Sequence, residues 1–183
     1  MTTGNLTNIV LLGPVSVQLS NGKAAEFPTQ KAKALLGILA LSGQAGIDRD
    51  EAAALLWSRS PQAQARTNLR QTLAGLRKAL GPDAERVESE GQRIALSRRN
   101  VEVDVDALFD GTLSVQSVVK AGQLLEGTHL NEPAYDTWLA GERTRMTEAV
   151  KSDLLKRGDS FLEDRAFDQA LAAARRLIEL DEF

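Results

Sequence analysis

Short runs of apolar residues near the N-terminus predict β-strands. Residues 9–19 are rich in Val, Ile and Leu, and they alternate with polar residues after the Gly13-Pro14 break, which predicts two strands. The Asn21-Gly22 pair that follows is favoured in tight hairpin turns because both residues tolerate positive φ. A third short strand fits residues 25–27, so we expect the chain to open with a small β-sheet.

Two amphipathic helices are predicted after this sheet. Pro28 opens the first helix, which ends near Ser42-Gly43. Asp48 and Glu51 have the spacing of a capping box and begin a second helix over residues 49–57. The apolar face of the first helix consists of Ala32, Leu35, Leu36, Ile38 and Leu39.

The third predicted helix spans residues 60–80 and has signals at both ends. Ser60 is a favoured N-cap, Pro61 suits the first turn, and Gly81-Pro82 is a stop signal. Spacings of three and four give one core-facing stripe of Ala65, Leu69, Thr72, Leu73, Leu76 and Leu80. Outside that stripe lie Arg66, Arg70, Gln71, Arg77 and Lys78. Any solvated surface helix has such a pattern, so the neighbouring segments decide its function.

A β-hairpin is predicted after the third helix, over residues 86–96. Two short strands flank a Glu90-Gly91 turn, and Arg98 and Arg99 follow them. Three helices, the last one basic, followed by a hairpin or wing form the layout of a winged helix-turn-helix, whose second motif helix enters the DNA major groove. The small sheet before the helices is typical of the OmpR-type version of that fold.

The C-terminal part of the chain has helical patterns. Residues 114–125 and 134–155 carry apolar residues at helical spacing, and those on one face of the second segment, expected in the core, are Trp138, Leu139, Met146, Val150 and Leu154. Residues 154–181 match a tetratricopeptide unit at its small positions, Gly158, Ala170 and Ala174. Glu182 departs from that pattern, because the repeat usually has proline there.

These patterns predict two domains that pack closely. The first, residues 1–100, is an α+β winged helix with an N-terminal small sheet and a C-terminal hairpin. The second, residues 101–183, is all-α and tetratricopeptide-like. A single helical repeat cannot bury both of its faces, so we expect a longer polypeptide, or an oligomeric partner, to continue the array.

The charge distribution separates the same two parts. Residues 1–100 hold 13 Lys and Arg against 8 Asp and Glu, whereas the remainder holds 9 against 17, within a chain of net charge -3. A basic half beside an acidic half favours a polyanion-binding module joined to a part that does not contact the polyanion.

Composition argues against several other classes of protein. The chain has no cysteine and a single histidine, His129, which disfavours metal sites and a cysteine nucleophile. It has no phosphate-binding glycine loop, no run of ~18 apolar residues and no secretory signal. A solvated acidic face, rather than a calcium loop, explains Glu102, Asp104, Asp106 and Asp110. We therefore expect a cytoplasmic protein that is not an enzyme and needs no cofactor, metal or membrane.

The third predicted helix resembles the recognition helix of the Streptomyces antibiotic regulatory protein (SARP) family at residues 65–81, ARTNLRQTLAGLRKALG. Leu56-Trp57, Leu11-Leu12-Gly13 and the join at residues 104–109 are also similar to that family. Residues 138–146 resemble the bacterial transcriptional activator domain that follows the winged helix in these regulators. The resemblance implies an activator that binds direct repeats in promoter DNA and contacts RNA polymerase, with a C-terminal half for dimerisation or regulation.

Base contact is predicted first for Arg70 and Gln71, which lie opposite the apolar stripe. Arginine can fork onto guanine and glutamine onto adenine, although Gln71 is also explained as an ordinary exposed polar residue. Two other residues share that surface, Thr67 and Ala74. Two cations of the same helix fit phosphate contacts, Arg66 and Lys78.

The remaining candidates for DNA binding have alternative explanations. Arg77 either contacts DNA or pairs with an acidic residue of the second helix such as Glu51. Asn68 either caps or contacts DNA. The arginines on or after the hairpin either reach the DNA minor groove or backbone, or form a solvated charged edge: Arg93, Arg98 and Arg99.

The sequence favours a sequence-specific transcriptional regulator that places residues 61–80 in the major groove of double-stranded DNA. A rival from another class is a protein-interaction scaffold whose winged helix no longer binds DNA, which the acidic pI of 5.3 favours. A steep salt dependence of DNA affinity would favour the regulator. RNA binding is disfavoured, because the chain has one Tyr and five Phe and no aromatic pair on a strand to stack bases.

Overall fold

The computed structural model describes residues 6–181 and combines two small sheets with seven α-helices within that range. Residues 1–5 and 182–183, which include the Glu182 of the tetratricopeptide comparison, lie outside the described residues. The helical C-terminal part begins after the last strand. The chain is therefore a mixed α/β protein.

The first sheet is built around β1, Thr7–Val10. It pairs antiparallel with β2, Ser16–Gln18, so that the two strands predicted within residues 9–19 are confirmed. The third strand expected at residues 25–27 is wrong: the chain makes one bridge, between Gln18 and Ala24, and then turns away toward Pro28, which has no N–H to donate. The other edge of β1 pairs instead with a strand from much later in the chain.

Three helices follow the first sheet. Helix α1 spans Gln30–Leu41 and is capped by Thr29, whose side chain accepts the Ala32 amide at 3.1 Å. Strand β3, Ile47–Asp48, leads directly into α2, Arg49–Leu56. Asp48 caps α2 as predicted, although it accepts the amide of Asp50 and not that of Glu51.

Helix α3 spans Gln62–Leu80 and begins later than predicted. The N-cap is Pro61, with an extended ψ of 144°, so Ser60 lies outside the helix and the predicted Ser60 cap is wrong. The C-terminal signal is confirmed, because Gly81 ends the helix at a φ of 49°, a value that favours glycine.

The second sheet contains the predicted hairpin. A 3₁₀ turn, Gly81–Arg86, joins α3 to β4, Val87–Glu90, which pairs antiparallel with β5, Arg93–Leu96. Strand β5 also pairs with β3, where Ile94 lies opposite Ile47. The hairpin is thereby attached to the start of α2 as well as to the end of α3.

The C-terminal part contains β6 and four helices. Strand β6, Val101–Val103, pairs parallel with β1 and so completes the first sheet. The helices are α4, Asp104–Phe109, α5, Val115–Val119, α6, Pro133–Glu163, and α7, Phe167–Asp181. No helix among residues 6–181 is long and apolar enough to cross a bilayer.

Two predictions about these helices need correction. The helix expected over residues 114–125 stops at Val119, because the later backbone pairs with the first half of the chain: Leu125 N donates to Leu11 O at 2.9 Å. On α7 it is Ala173 that is buried, whereas Ala174 is exposed, and the space beside Gly158 is open. Gly158 and Ala174 therefore do not mark a close helix contact.

The two halves of the chain share one buried core. Gly37 of α1 is packed so closely against Leu125 that an added Cβ would lie 2.6 Å from the Leu125 Cδ2 atom. Asp104, expected in a solvated acidic face, instead accepts the amides of Leu11 and Leu12 at 2.9 and 2.8 Å. Burial raises the pKa of the Asp104 carboxyl, although these donors favour its charged form. The halves are therefore joined by backbone and side-chain contacts.

Replacing Asp104 by alanine is expected to lower the free energy of unfolding by about 2 to 4 kcal/mol, because two partly buried amides lose their acceptor. Urea unfolding at neutral pH measures this change. The matched control is Glu102→Ala, which removes an exposed carboxylate from β6 and is expected to cost less than about 0.5 kcal/mol. Equal losses in the two variants would contradict the role given to Asp104.

Asp83 is a second buried carboxylate, and it gives stability a defined pH dependence. It is 2% exposed and accepts the Ser20 amide at 2.7 Å. Burial alone would raise the pKa of this carboxyl. Hydrogen bonding by Ser20 and the charge of Arg86 have a larger, opposite effect, so the pKa of Asp83 lies below its ordinary 3.8. The contribution of Asp83 to the free energy of unfolding is fully present above the pKa that this carboxyl has in the unfolded chain. It is lost as the pH falls through the pKa of Asp83 in the folded state.

We expect the free energy of unfolding to decrease between about pH 5 and pH 2, and to decrease less steeply in Asp83→Asn. Urea unfolding at a series of pH values measures both slopes. Asp110→Asn, at an exposed position, should keep the wild-type slope. An Asp83→Asn slope equal to that of the wild type would show that this carboxylate does not carry the acid sensitivity.

Candidate nucleic-acid interface

Helix α3 has one buried and one exposed face. The apolar stripe is confirmed: Thr72 is half-buried, and the fully buried members are Ala65, Leu69, Leu73, Leu76 and Leu80. The opposite face exposes the predicted contact residues Thr67, Arg70, Gln71, Ala74 and Lys78. Positions three and four apart on a helix face the same direction, so these side chains form one continuous surface.

The side chains of Arg70, Gln71 and Lys78 make no hydrogen bond or ion pair with any of residues 6–181. Two other predicted residues on this helix bond within α3 itself. Thr67 Oγ1 donates to Ala63 O at 3.0 Å, and Asn68 Oδ1 accepts from Gln64 Nε2 at 3.0 Å, so Asn68 does not cap the helix. The donors at positions 70, 71 and 78 are therefore available to a ligand.

Arg66 is paired at the surface with α2. Its Nε donates to Asp50 Oδ1 at 2.6 Å, and its side chain is half-exposed. The hydrogen bond from Arg66 lowers the pKa of the Asp50 carboxyl. If Arg66 binds a phosphate, the phosphate must either displace the Asp50 carboxylate or bind the guanidinium together with it.

Arg77 binds the hairpin and not the second helix. Its Nη2 donates to Val87 O at 2.8 Å and to Ser89 Oγ at 2.7 Å. The alternative that pairs Arg77 with Glu51 is therefore wrong. The reason is geometric: the 3₁₀ turn returns β4 alongside the last turns of α3, where its carbonyl lies within reach of the guanidinium.

The arginines of the hairpin region differ in what they face. Arg98 is directed inward: its Nε lies 2.6 Å from Asp106 Oδ2, its Nη2 donates to Ala40 O at 2.6 Å, and its side chain is 15% exposed. The solvated edge considered for Arg98 is therefore wrong. Arg93 is exposed and donates to Ala45 O at 2.7 Å, and Arg99 is exposed.

The turn between α2 and α3 contains a cluster that no pattern in the sequence indicates. Glu132, directly before α6, is bonded to Lys31 of α1 and to Ser58 and Arg59 of the turn. Burial alone would raise the pKa of the Glu132 carboxyl. The hydrogen bonds from Lys31 and Ser58 have a larger, opposite effect, so this pKa lies below its ordinary value. These residues are far apart in sequence, so helical or strand periodicity cannot predict that they meet.

Among residues 6–181, no group of three or more His, Cys, Asp or Glu is arranged to hold a metal ion. The cleft between the first sheet and α4–α5, of about 910 Å³, is lined by the Arg98–Asp106 pair and by Asp104. Those charged groups already bond to one another or to backbone. On the exposed face of α3, by contrast, Arg70, Gln71 and Lys78 are exposed and have no polar partner among residues 6–181.

Comparison with known proteins gives two similarities, while no family model matches the chain. The transcriptional regulatory protein MoaR1 of Mycobacterium tuberculosis is 24% identical over 184 residues, which cover 95% of this chain and 58% of that protein. The structure described as Mycobacterium tuberculosis EmbR in complex with low affinity phosphopeptide matches with a TM-score of 0.59 and 19% identity. That match covers 95% of this chain and 54% of the other.

The chain resembles a SARP-type transcriptional regulator, in agreement with its sequence motifs. The likeness to EmbR is one of fold. The chain spans little more than half the length of either protein.

The contact between Arg77 and the hairpin leads to a stability prediction. Arg77→Ala is expected to lower the free energy of unfolding by about 1 to 3 kcal/mol, because Val87 O and Ser89 lose a charged donor. Lys78→Ala removes the same charge from the next, exposed position and should change stability by less than about 0.5 kcal/mol. Chemical unfolding of both variants tests this, and equal stability would contradict a structural role for Arg77.

Proposed function

We propose that the chain is a cytoplasmic, sequence-specific DNA-binding transcriptional regulator, with α3 in the major groove of double-stranded promoter DNA. The observation that carries this proposal is the exposed face of α3, where Arg70, Gln71 and Lys78 have no polar partner among residues 6–181. MoaR1, similar along nearly the whole of this chain, is named a transcriptional regulatory protein, which supports the same class.

The dimensions and chemistry of α3 suit this role. A helix of 19 residues is ~28 Å long, and the major groove, ~12 Å wide, admits an α-helix. Arg70 offers a planar fork for guanine, and the Gln71 amide offers a donor and an acceptor for adenine. Thr67 and Ala74 lie on the same face and suit close approach, since both side chains are short. Lys78 is placed to bind a phosphate.

Not every basic residue of this region is proposed to contact the bases. Arg77 is assigned to hold the hairpin beside α3, and Arg98 to the inward ion pair with Asp106, so neither is proposed as a base contact. Arg66 can bind phosphate by sharing its charge between DNA and Asp50. Arg93 and Arg99 remain proposed backbone or minor-groove contacts, because both are exposed.

The domain organisation belongs to the same proposal. Residues 1–100 form a winged helix of the OmpR type, whose first sheet is completed by β6, and within residues 101–183 the helices that follow β6 form a tetratricopeptide-like module. An apolar groove between α6 and α7, of about 370 Å³, exposes four large side chains that suit the stacking of another helix: Leu155, Leu162, Phe167 and Leu171. Activation, contact with RNA polymerase, dimerisation and binding at direct repeats follow only from the SARP resemblance.

The test is selection of duplexes from a random pool, followed by anisotropy titration across a salt series. We expect a motif to be enriched, and Arg70→Ala or Gln71→Ala to weaken or relax it by about 1 to 3 kcal/mol per lost base contact. Lys78→Ala should weaken all sequences alike and reduce the salt slope by about 1.

Matched controls are available on α7. Arg175→Ala and Gln169→Ala make the same chemical changes at exposed positions far along the chain, and both should leave affinity and sequence preference unchanged. If no motif is enriched and affinity does not respond to salt, the proposal of a sequence-specific regulator fails and the protein-interaction scaffold is favoured.

A further inference from the structure

The turn between α2 and α3 is held by a carboxylate from the other half of the chain. Glu132 is 8% exposed and uses both of its oxygens. Oε1 accepts from Lys31 Nζ at 2.8 Å, and Oε2 accepts the Ser58 hydroxyl at 3.0 Å and the Arg59 amide at 3.4 Å. A buried carboxylate with this many donors is strongly localised, because any displacement leaves polar groups unpaired.

Lys31 ties the same carboxylate to the end of α2. Its Nζ donates to Leu56 O at 2.7 Å and lies 4.7 Å from the centroid of the Trp57 ring. The ammonium therefore bonds the last residue of α2 and Glu132 at once. Three elements, α1, the α2–α3 turn and the start of α6, meet at this ion pair.

The turn has little freedom apart from these contacts. Only residues 57–61 separate α2 from α3, and Pro61, at the start of α3, has its φ fixed by its ring. Ser60 N donates to Trp57 O at 3.0 Å, which closes the turn on itself. The conformation of Ser58 and Arg59 therefore sets the direction in which α3 leaves the turn.

We propose that Glu132 is a positioning residue for DNA recognition, which holds the α2–α3 turn and so sets the angle at which α3 presents its exposed face. The inference rests on the proposed function. It also gives the C-terminal half a direct influence on DNA affinity, because Glu132 is continuous with α6, whose Tyr135 and Leu139 are buried in the shared core.

The test compares Glu132→Gln with Asp136→Asn in the full chain, with anisotropy titration of a selected duplex. Glutamine keeps the shape and one acceptor oxygen but removes the charge that Lys31 binds. Asp136 lies one turn later on α6, is exposed, and loses the same charge. We expect Glu132→Gln to bind about tenfold more weakly and Asp136→Asn to bind as the wild type does.

Long-range electrostatics predict the opposite change in DNA affinity for Glu132→Gln. Removing a negative charge favours binding to a polyanion, so a weaker Glu132→Gln complex reports a change in geometry. The salt slope should stay at the wild-type value, because no phosphate contact is lost. In a double-mutant cycle, Lys31→Met should add little to the loss already caused by Glu132→Gln.

Hydrogen exchange provides a measurement that does not depend on DNA. The Arg59 amide, which donates to Glu132 Oε2, should exchange faster in Glu132→Gln than in Asp136→Asn, while both variants keep a cooperative thermal transition. If Glu132→Gln does not fold, Ser58→Ala removes one bond to the carboxylate and should weaken DNA binding about threefold.

The outcomes separate this inference from the proposed function. If the wild type selects a motif and a folded Glu132→Gln binds it equally well, the positioning role is overturned and the regulator stands. If the wild type selects no motif, the proposed function fails, and exchange of the Arg59 amide decides whether Glu132 holds the turn. Unchanged exchange there overturns that role too.

Discussion

Burial of one face of α3 in the core determines which of its side chains face solvent. Leu69, Leu73 and Leu76 are at most 2% exposed, and burying each leucine contributes about 1.5 to 3 kcal/mol. Because an α-helix repeats every 3.6 residues, fixing this stripe toward the core also fixes Gln71 and Lys78 toward solvent. The candidate DNA surface is thus a geometric consequence of core packing. A rotation of one residue in one direction would bury Arg70 and in the other direction would bury Asn68, so both rotations are disfavoured.

The basic residues around this surface divide between structural and available cations. Arg77 holds the hairpin and Arg98 pairs with Asp106, while Arg66 binds Asp50 at the edge of the exposed face. Arg70 has no such partner within residues 6–181. This division explains how a region with modest positive charge can concentrate its free donors on one helix face.

The sequence predicted those features that depend on local chemistry. The stripe of α3, the Gly81 stop and the hairpin follow from helical periodicity, a left-handed glycine and strand alternation. The failures arise where distant or steric contacts decide. The helix expected to reach residue 125 gives way to backbone pairing with residues 11–14, and the Ser60 cap fails because Pro61 is extended. Glu132 was missed because its partner in α1 lies 101 residues away.

Chemical changes confined to one groove of the duplex distinguish reading of the major groove by α3 from other modes of DNA binding. Replacing each guanine of a selected duplex by 7-deazaguanine removes N7, a major-groove acceptor, whereas inosine removes only the minor-groove N2 amino group. If Arg70 contacts a guanine in the major groove, at least one N7 deletion lowers affinity about tenfold in the wild type and has little effect in Arg70→Ala. Sensitivity to inosine alone, with no response to any N7 deletion, would contradict this contact.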